Sequence, residues 1–131
     1  MKSGKEEKMV KLIIPGELPD LNTIIEESKK GRGKCQPYSK LKRINTDKVA
    51  WIAKTKIKEQ FSKIDLEITW ICKDRRKDKD NIMAGGLKMI LDGLVGAGAI
   101  PNDGWKHVGS ITNHFEVDKN DPRIEIQITQ A

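Results

Sequence analysis

Apolar residues recur along the chain with two different periods, and the changes of period mark the elements. Met9 to Ile14 is a short apolar run closed by Pro15-Gly16, which predicts a first strand. Ile64, Leu66, Ile68, Trp70 and Cys72 alternate with Asp65, Glu67 and Thr69, the pattern of a strand with one wet face. A third strand is expected through Ile111, Phe115 and Val117. A fourth alternates Ile124, Ile126 and Ile128, with Asn120-Asp121-Pro122 as the turn between the two. Helical spacing fills the gaps. Pro19-Asp20 opens a short helix to about Ser28, capped by Asp20. A second helix is expected from Thr46 as its cap, with Val49, Ile52, Ala53, Ile57 and Phe61 on one face and Lys48, Trp51, Thr55 and Lys58 opposite. A third starts at Asp80 or Asn81 and carries Met83, Leu87, Ile90, Leu91 and Leu94 until Gly96-Ala97-Gly98 stops it.

Three helices interleaved with four strands predict an α+β fold, a small mixed sheet packed with helices. Residues 1–8 read as a flexible tail ahead of one domain over 9–131, and Gly31-Arg32-Gly33-Lys34 reads as a mobile loop. The 131 residues, 37% of them hydrophobic, are enough for one core and too few for a second full domain. No apolar run approaches the length of a bilayer span, and the segment after Lys8 is too short for a signal peptide, so a cytoplasmic protein is expected. Cys35 and Cys72 match no zinc spacing and no Cys-x-x-Cys pair, which predicts two free thiols.

The charge changes the picture. A net charge of +6 favours contact with a polyanion. Scattered lysines would merely solubilise a surface, but here they are concentrated. Lys29, Lys30, Arg32, Lys34, Lys40, Lys42, Arg43, Lys48, Lys54, Lys56, Lys58 and Lys63 share their segment with only Asp47 and Glu59. Nucleic-acid phosphates would relieve that repulsion through counterion release, with Lys48, Lys54 and Lys58 on one helix face. Trp51, on the same face, suits either stacking on a base or covering the edge of the core.

The densest chemistry lies at Arg75-Arg76-Lys77-Asp78-Lys79-Asp80-Asn81, with Asp103 following in Pro101-Asn102-Asp103-Gly104-Trp105. Aspartates are hard oxygen ligands suited to Mg²⁺ or Mn²⁺. The flanking Arg75, Arg76, Lys77 and Lys79 can hold a phosphate that those carboxylates would otherwise repel. Residues two apart on an extended strand end point to one side, so Asp78 and Asp80 can converge on one ion, with Asp103 returning from the turn beyond the helix. Taken singly, Asp80 as a helix cap and Asp103 as a turn residue are the commoner roles. Lys73, Lys77, Lys79 and Lys88 are all candidates for stabilising transition-state charge. His107 and His114 lie an odd number apart on an expected strand, so at most one enters such a site. A calcium loop fails because Met83 and Met89 stand where glycine and glutamate are required. Gly96-Ala97-Gly98 follows a helix where the dinucleotide fingerprint follows a strand, and no Gly-Lys-Ser/Thr loop occurs, so no nucleotide cofactor is expected.

The spaced pattern resembles the RusA-type Holliday junction resolvases, endodeoxyribonucleases of bacteria and their phages. Arg75-Arg76-Lys77-Asp78-Lys79-Asp80-Asn81 is similar to that family's basic run into Asp-x-Asp-Asn. Lys88-x-x-x-Asp92-Gly93-Leu94 is similar to its Lys-x-x-x-Asp-Ala-Leu, and Asn102-Asp103 to its closing acidic pair. The likeness is best from Ile64 to Ile128. Two departures are Asn102 in the first position of the acidic pair and Gly93 where alanine is commoner. The resemblance implies Mg²⁺ or Mn²⁺ bound by Asp78, Asp80 and Asp103, and Lys88 assisting the transition state. It also implies a homodimer placing paired nicks in a four-way DNA junction. Lys88 is the least secure of these, because it lies ~12 Å along the helix from Asp80 and is one turn from Asp92. Two other functions fit the same residues: a DNA-binding module without catalysis, and a metal-dependent phosphoesterase acting on small nucleotides.

Overall fold

The computed structural model describes residues 8–30 and 37–131. The expected tail over residues 1–7, the Gly31–Lys34 loop and Cys35 lie outside the described residues. Seven elements follow in chain order: β1 (Met9–Pro15), α1 (Leu21–Lys30), α2 (Pro37–Lys56), β2 (Ile64–Cys72), α3 (Lys79–Gly96), β3 (Val108–Val117) and β4 (Arg123–Gln130). They form the α+β arrangement expected from the periodicities, three helices and one four-stranded mixed sheet.

The strand order is β1-β4-β2-β3. β4 pairs antiparallel with β1 and with β2, while β3 runs parallel to β2. A parallel neighbour cannot be reached by a tight turn, so α3 makes the crossover between β2 and β3. Alternation in the strands decides the layers. Leu12 and Ile14, then Ile64, Leu66, Ile68 and Trp70, then Ile124, Ile126 and Ile128 are all buried. The residues between them carry charge pairs such as Lys11–Glu125 at 3.4 Å and Arg123–Glu125 at 2.9 Å. Trp70 satisfies its indole N–H at 2.8 Å on Asn113 Oδ1 across the β2–β3 pair.

Two helix expectations need correction. The second helix starts at Pro37, nine residues before Thr46 (46 − 37), and Thr46 lies inside it. Proline suits a first helical position, where its missing N–H costs nothing, and Pro37 sets the start that polar, lysine-rich residues 38–45 concealed. Thr46 caps nothing, and its buried hydroxyl has no hydrogen-bond partner among the described residues. Ile57 and Phe61 are buried as expected but lie beyond the end of α2.

In α3, Ile90 and Leu94 are buried, whereas Met83, Leu87 and Leu91 are only partly so. The fully covered stripe runs instead through Gly85, Gly86, Met89, Ile90, Gly93 and Leu94. The glycines are there because other atoms occupy the space a side chain would fill. A Cβ on Gly86 would stand 2.6 Å from Trp70 Cζ3, and one on Gly93 2.5 Å from Val49 Cγ1. At its end α3 is closed by Gly98, at φ 79°, whose N–H donates to Val95 O at 3.0 Å.

Gly93→Ala should cost about 1–3 kcal/mol by overpacking against Val49. Combined with Val49→Ala it should be less destabilised than the two single changes summed, by at least about 0.5 kcal/mol in urea unfolding. Additive single changes would show that this contact does not set the α2–α3 distance.

Candidate functional site

β2 and β3 are parallel, so both deliver their carboxyl ends to the same edge of the sheet, and α3 begins there. At such an edge, ligand crevices form in mixed and parallel sheets. An open cleft of about 470 Å³ occupies it, lined by Cys72, Asp74, Arg75, Lys77, Asp78, Lys79, Ile82, Phe115, Glu116 and Val117. The pairing that brings the two ends together continues past the strands, where the Asp118 N–H donates to Cys72 O at 2.8 Å.

Asp78 is the N-cap residue of α3, extended at φ −71° and ψ 149°, and its carboxylate makes no capping hydrogen bond. Asp80 is in the first turn, one position beyond Lys79. The helix therefore starts a residue or two earlier than expected. β2 ends at Cys72, so Asp78 and Asp80 are not the alternate residues of an extended strand end. Their proximity comes from flanking the start of one helix. That is also where a helix favours negative charge, since its first N–H groups are unpaired.

The basic residues separate by environment. Arg75 and Lys79 are exposed and line the cleft, and the Lys79 ammonium lies 5.6 Å from the centroid of the Phe115 ring, a cation–π contact. Arg76 is exposed and paired loosely with Asp74 at 3.6 Å. Lys77 lines the cleft but turns back toward Glu17 at 3.8 Å and Asp20 at 3.7 Å. Lys48 donates to Pro15 O at 2.5 Å, which ties α2 to the end of β1 rather than offering a free charge. Lys54 and Lys58 are exposed, at the end of α2 and just after it, and do not line the cleft. Trp51 is 72% exposed, which excludes a role in covering the core, and Trp105 is 98% exposed.

Lys88 and Asp103 form a second polar group further along α3. Lys88 Nζ lies 2.8 Å from Asp103 Oδ2 and 3.1 Å from Asp92 Oδ1, and Lys42 reaches the other Asp92 oxygen at 3.4 Å. Asp103 does return to α3 from the turn beyond it, as expected, but it comes to Lys88. The Lys88 charge holds the Asp103 carboxyl below its ordinary value, and hydrogen bonds to Asp103 first and Asp92 second push the Lys88 ammonium up. Two exposed carboxylates at the head of α3 have the hard-oxygen chemistry of a Mg²⁺ site. Among the described residues, however, no three His, Cys, Asp or Glu side chains stand close enough to share an ion. The chain by itself thus presents Asp78 and Asp80 without their expected third ligand.

The histidines serve elsewhere. His107 Nδ1 meets Ser62 O at 2.7 Å, and His114 Nε2 meets Glu67 Oε2 at 2.8 Å. Cys72 is a free thiol whose burial, the largest influence, pushes its pKa up. Phe115, Glu116 and Val117 escaped sequence reasoning, because nothing in one sequence says which strand lies beside β2. Asp20 and Asn81 also escaped it as a pair: Asn81 Nδ2 donates to Asp20 Oδ2 at 2.5 Å across 61 residues of chain. The only local signal was that both belong to short polar clusters at helix starts. Among the described residues no helix is long and apolar enough to cross a membrane. Compared with known proteins, the chain matches no family model and no curated protein sequence.

Replacing Lys88 with methionine should return the Asp103 carboxyl titration, followed by NMR, upward toward 3.8. The pair is largely exposed, so it should contribute only about 0.2–1 kcal/mol. That contribution is present above the unfolded Asp value and is lost as pH falls through the lowered folded value. An Asp103 titration unmoved by Lys88→Met would show that the two side chains do not pair in solution.

Proposed function

We propose that this chain is a metal-dependent endodeoxyribonuclease acting on branched DNA, with the four-way junction as its substrate and Asp78 and Asp80 at the reacting phosphate. The observation that carries it is the cleft: a carboxylate set among Arg75, Lys77 and Lys79 at the head of a crossover helix. Cations there attract a phosphodiester, while Asp78 and Asp80 supply the hard oxygen atoms that a phosphate-binding cleft would otherwise exclude. A bound Mg²⁺ or Mn²⁺ supplies charge neutralisation and an activated water.

The protein's own residues do the rest. Arg75 and Lys79 hold the phosphate, and Phe115 offers a face on which an unpaired base or sugar at a branch point can pack. The exposed Lys54, Lys58 and Trp51 extend contact along a duplex arm. Asp103 is the proposed third ligand, and it reaches that role only by leaving Lys88, which then becomes a free cation near the site. A homodimer would match two such sites to the approximate two-fold symmetry of the junction. Cytoplasmic location in a bacterium or phage-infected cell belongs to the same proposal. The resemblance in Asp78-x-Asp80-Asn81, Lys88-x-x-x-Asp92 and Asn102-Asp103 supports it independently of the cleft.

A second reading, DNA binding without catalysis, is favoured by one specific observation: Asp103 is committed to Lys88 and no three-carboxylate group is assembled. One assay separates them. With Mg²⁺ and a synthetic four-way junction, the protein should place paired nicks in opposed strands. Loss of an outer-shell partner of a metal site typically costs 10–100-fold, so Asp80→Asn, which removes a direct ligand, should lower the rate by at least about a hundredfold while binding persists. Binding without nicks in either Mg²⁺ or Mn²⁺ would establish the binding module, and cleavage of mononucleotides alone a phosphoesterase. Arg75→Ala and Lys79→Ala should each weaken junction binding and reduce its salt dependence by about one counterion. An unchanged salt slope in both would remove them from the DNA contact.

A further inference from the structure

Asp20 is the one charged side chain that is buried among the described residues, 4% exposed. It stands immediately before α1, where an aspartate needs only one oxygen to cap a helix. That oxygen is used locally: Thr23 Oγ1 donates to Oδ1. The second oxygen is spent on another helix, accepting from Asn81 Nδ2 at 2.5 Å, and the Lys77 ammonium lies 3.7 Å from Oδ1. Asn81 completes the exchange by accepting the Asn22 N–H on its own Oδ1 at 2.9 Å. Burial works to raise the Asp20 carboxyl, but the hydrogen bonds from Thr23 and Asn81 and the Lys77 charge outweigh it and hold the group below its ordinary value. The carboxylate is therefore ionised at neutral pH, and every contact it makes is to a donor or a cation.

This bridge joins the first turn of α1 to the first turn of α3. Asn81 adjoins Asp80 and is three positions from Asp78, so the same bonds fix the direction in which both carboxylates leave the helix. Little else does so. Asp78 makes no capping bond, and the covered stripe of α3 begins only at Gly85, where a Cβ would stand 2.7 Å from Asp20 Cα. Ahead of that contact, residues 79–82 are exposed or half-buried and would fray like any unsupported helix start.

We infer that Asp20, acting through Asn81, is a positioning residue that sets the aim of Asp78 and Asp80 at the cleft; this inference rests on the nuclease reading above. The charge on Asp20 is needed because Asn81 turns its amide nitrogen toward it, so exchanging the two side chains keeps the number of hydrogen bonds and reverses their polarity.

The exchange supplies the test. Asn81→Asp sets two carboxylates against each other and should lower kcat for junction cleavage by about 10–100-fold, as loss of a group supporting a metal ligand typically does. Junction affinity measured without metal should change by less than about threefold, since the cations of the cleft are untouched. Asn81→Ala, which introduces no repulsion, should lose activity in the same direction. Asp20→Asn combined with Asn81→Asp should recover kcat to within about threefold of wild type, and hydrogen exchange of the 79–83 amides should rise in Asn81→Asp and fall again in the double variant. A double variant that melts like wild type yet recovers no kcat would overturn the positioning role, as would an Asn81→Asp protein with full kcat. A wild-type protein that cleaves no junction, with 79–83 exchange still following the swap, would overturn the nuclease reading and reduce the bridge to a fold contact.

Discussion

The close seating of α3 is the constraint on which the rest of the structure depends. Where Gly85, Gly86 and Gly93 face Asp20, Trp70 and Val49, a Cβ would come within 2.7 Å or less of a heavy atom of each partner. Each glycine costs helix stability, on the order of 1 kcal/mol relative to alanine. The gain is a short distance between α3, α2 and the sheet, over which buried side chains such as Ile90, Leu94 and Val49 can interlock. That seating determines where the helix begins, and its beginning is the floor of the cleft.

The consequence is electrostatic as much as steric. A crossover helix between parallel strands must place its positive end beside the carboxyl ends of those strands. Asp78 and Asp80 accept that field, and Arg75, Lys77 and Lys79 surround them. Further along the helix, Lys88 holds Asp92 and Asp103 together, so the chain keeps its acidic groups in two separately neutralised sets. Two sets sharing one ion would require Asp103 to exchange a lysine for a metal, a swap of one counter-charge for another.

The elements most readable from the residues were the strands. Ile64 to Cys72 and Ile124 to Ile128 alternate cleanly because one face of the sheet meets the helices and the other carries ion pairs, a period that burial imposes directly on residue choice. The helices were read less well, for two different reasons. α2 begins among residues whose polarity gives no stripe, and only Pro37 marks the start. α3 was given the wrong buried face because glycine carries no hydrophobic signal, although in this helix glycine marks the closest contact.

By itself the sequence determined the charge balance, the alternating faces of the strands and the Asp-x-Asp-Asn cluster behind a basic run, since each depends on residues adjacent or nearly adjacent in the chain. It also pointed to Lys88 beside Asp92, one helical turn apart, and the two do pair. Only the tertiary structure decided that β3 lies beside β2, that Phe115 therefore faces Lys79, that Asp103 meets Lys88, and that Asp20 reaches Asn81. These contacts join residues 15 to 61 positions apart. Nothing in local periodicity specifies them, because they follow from how the elements stack and not from what any one of them contains.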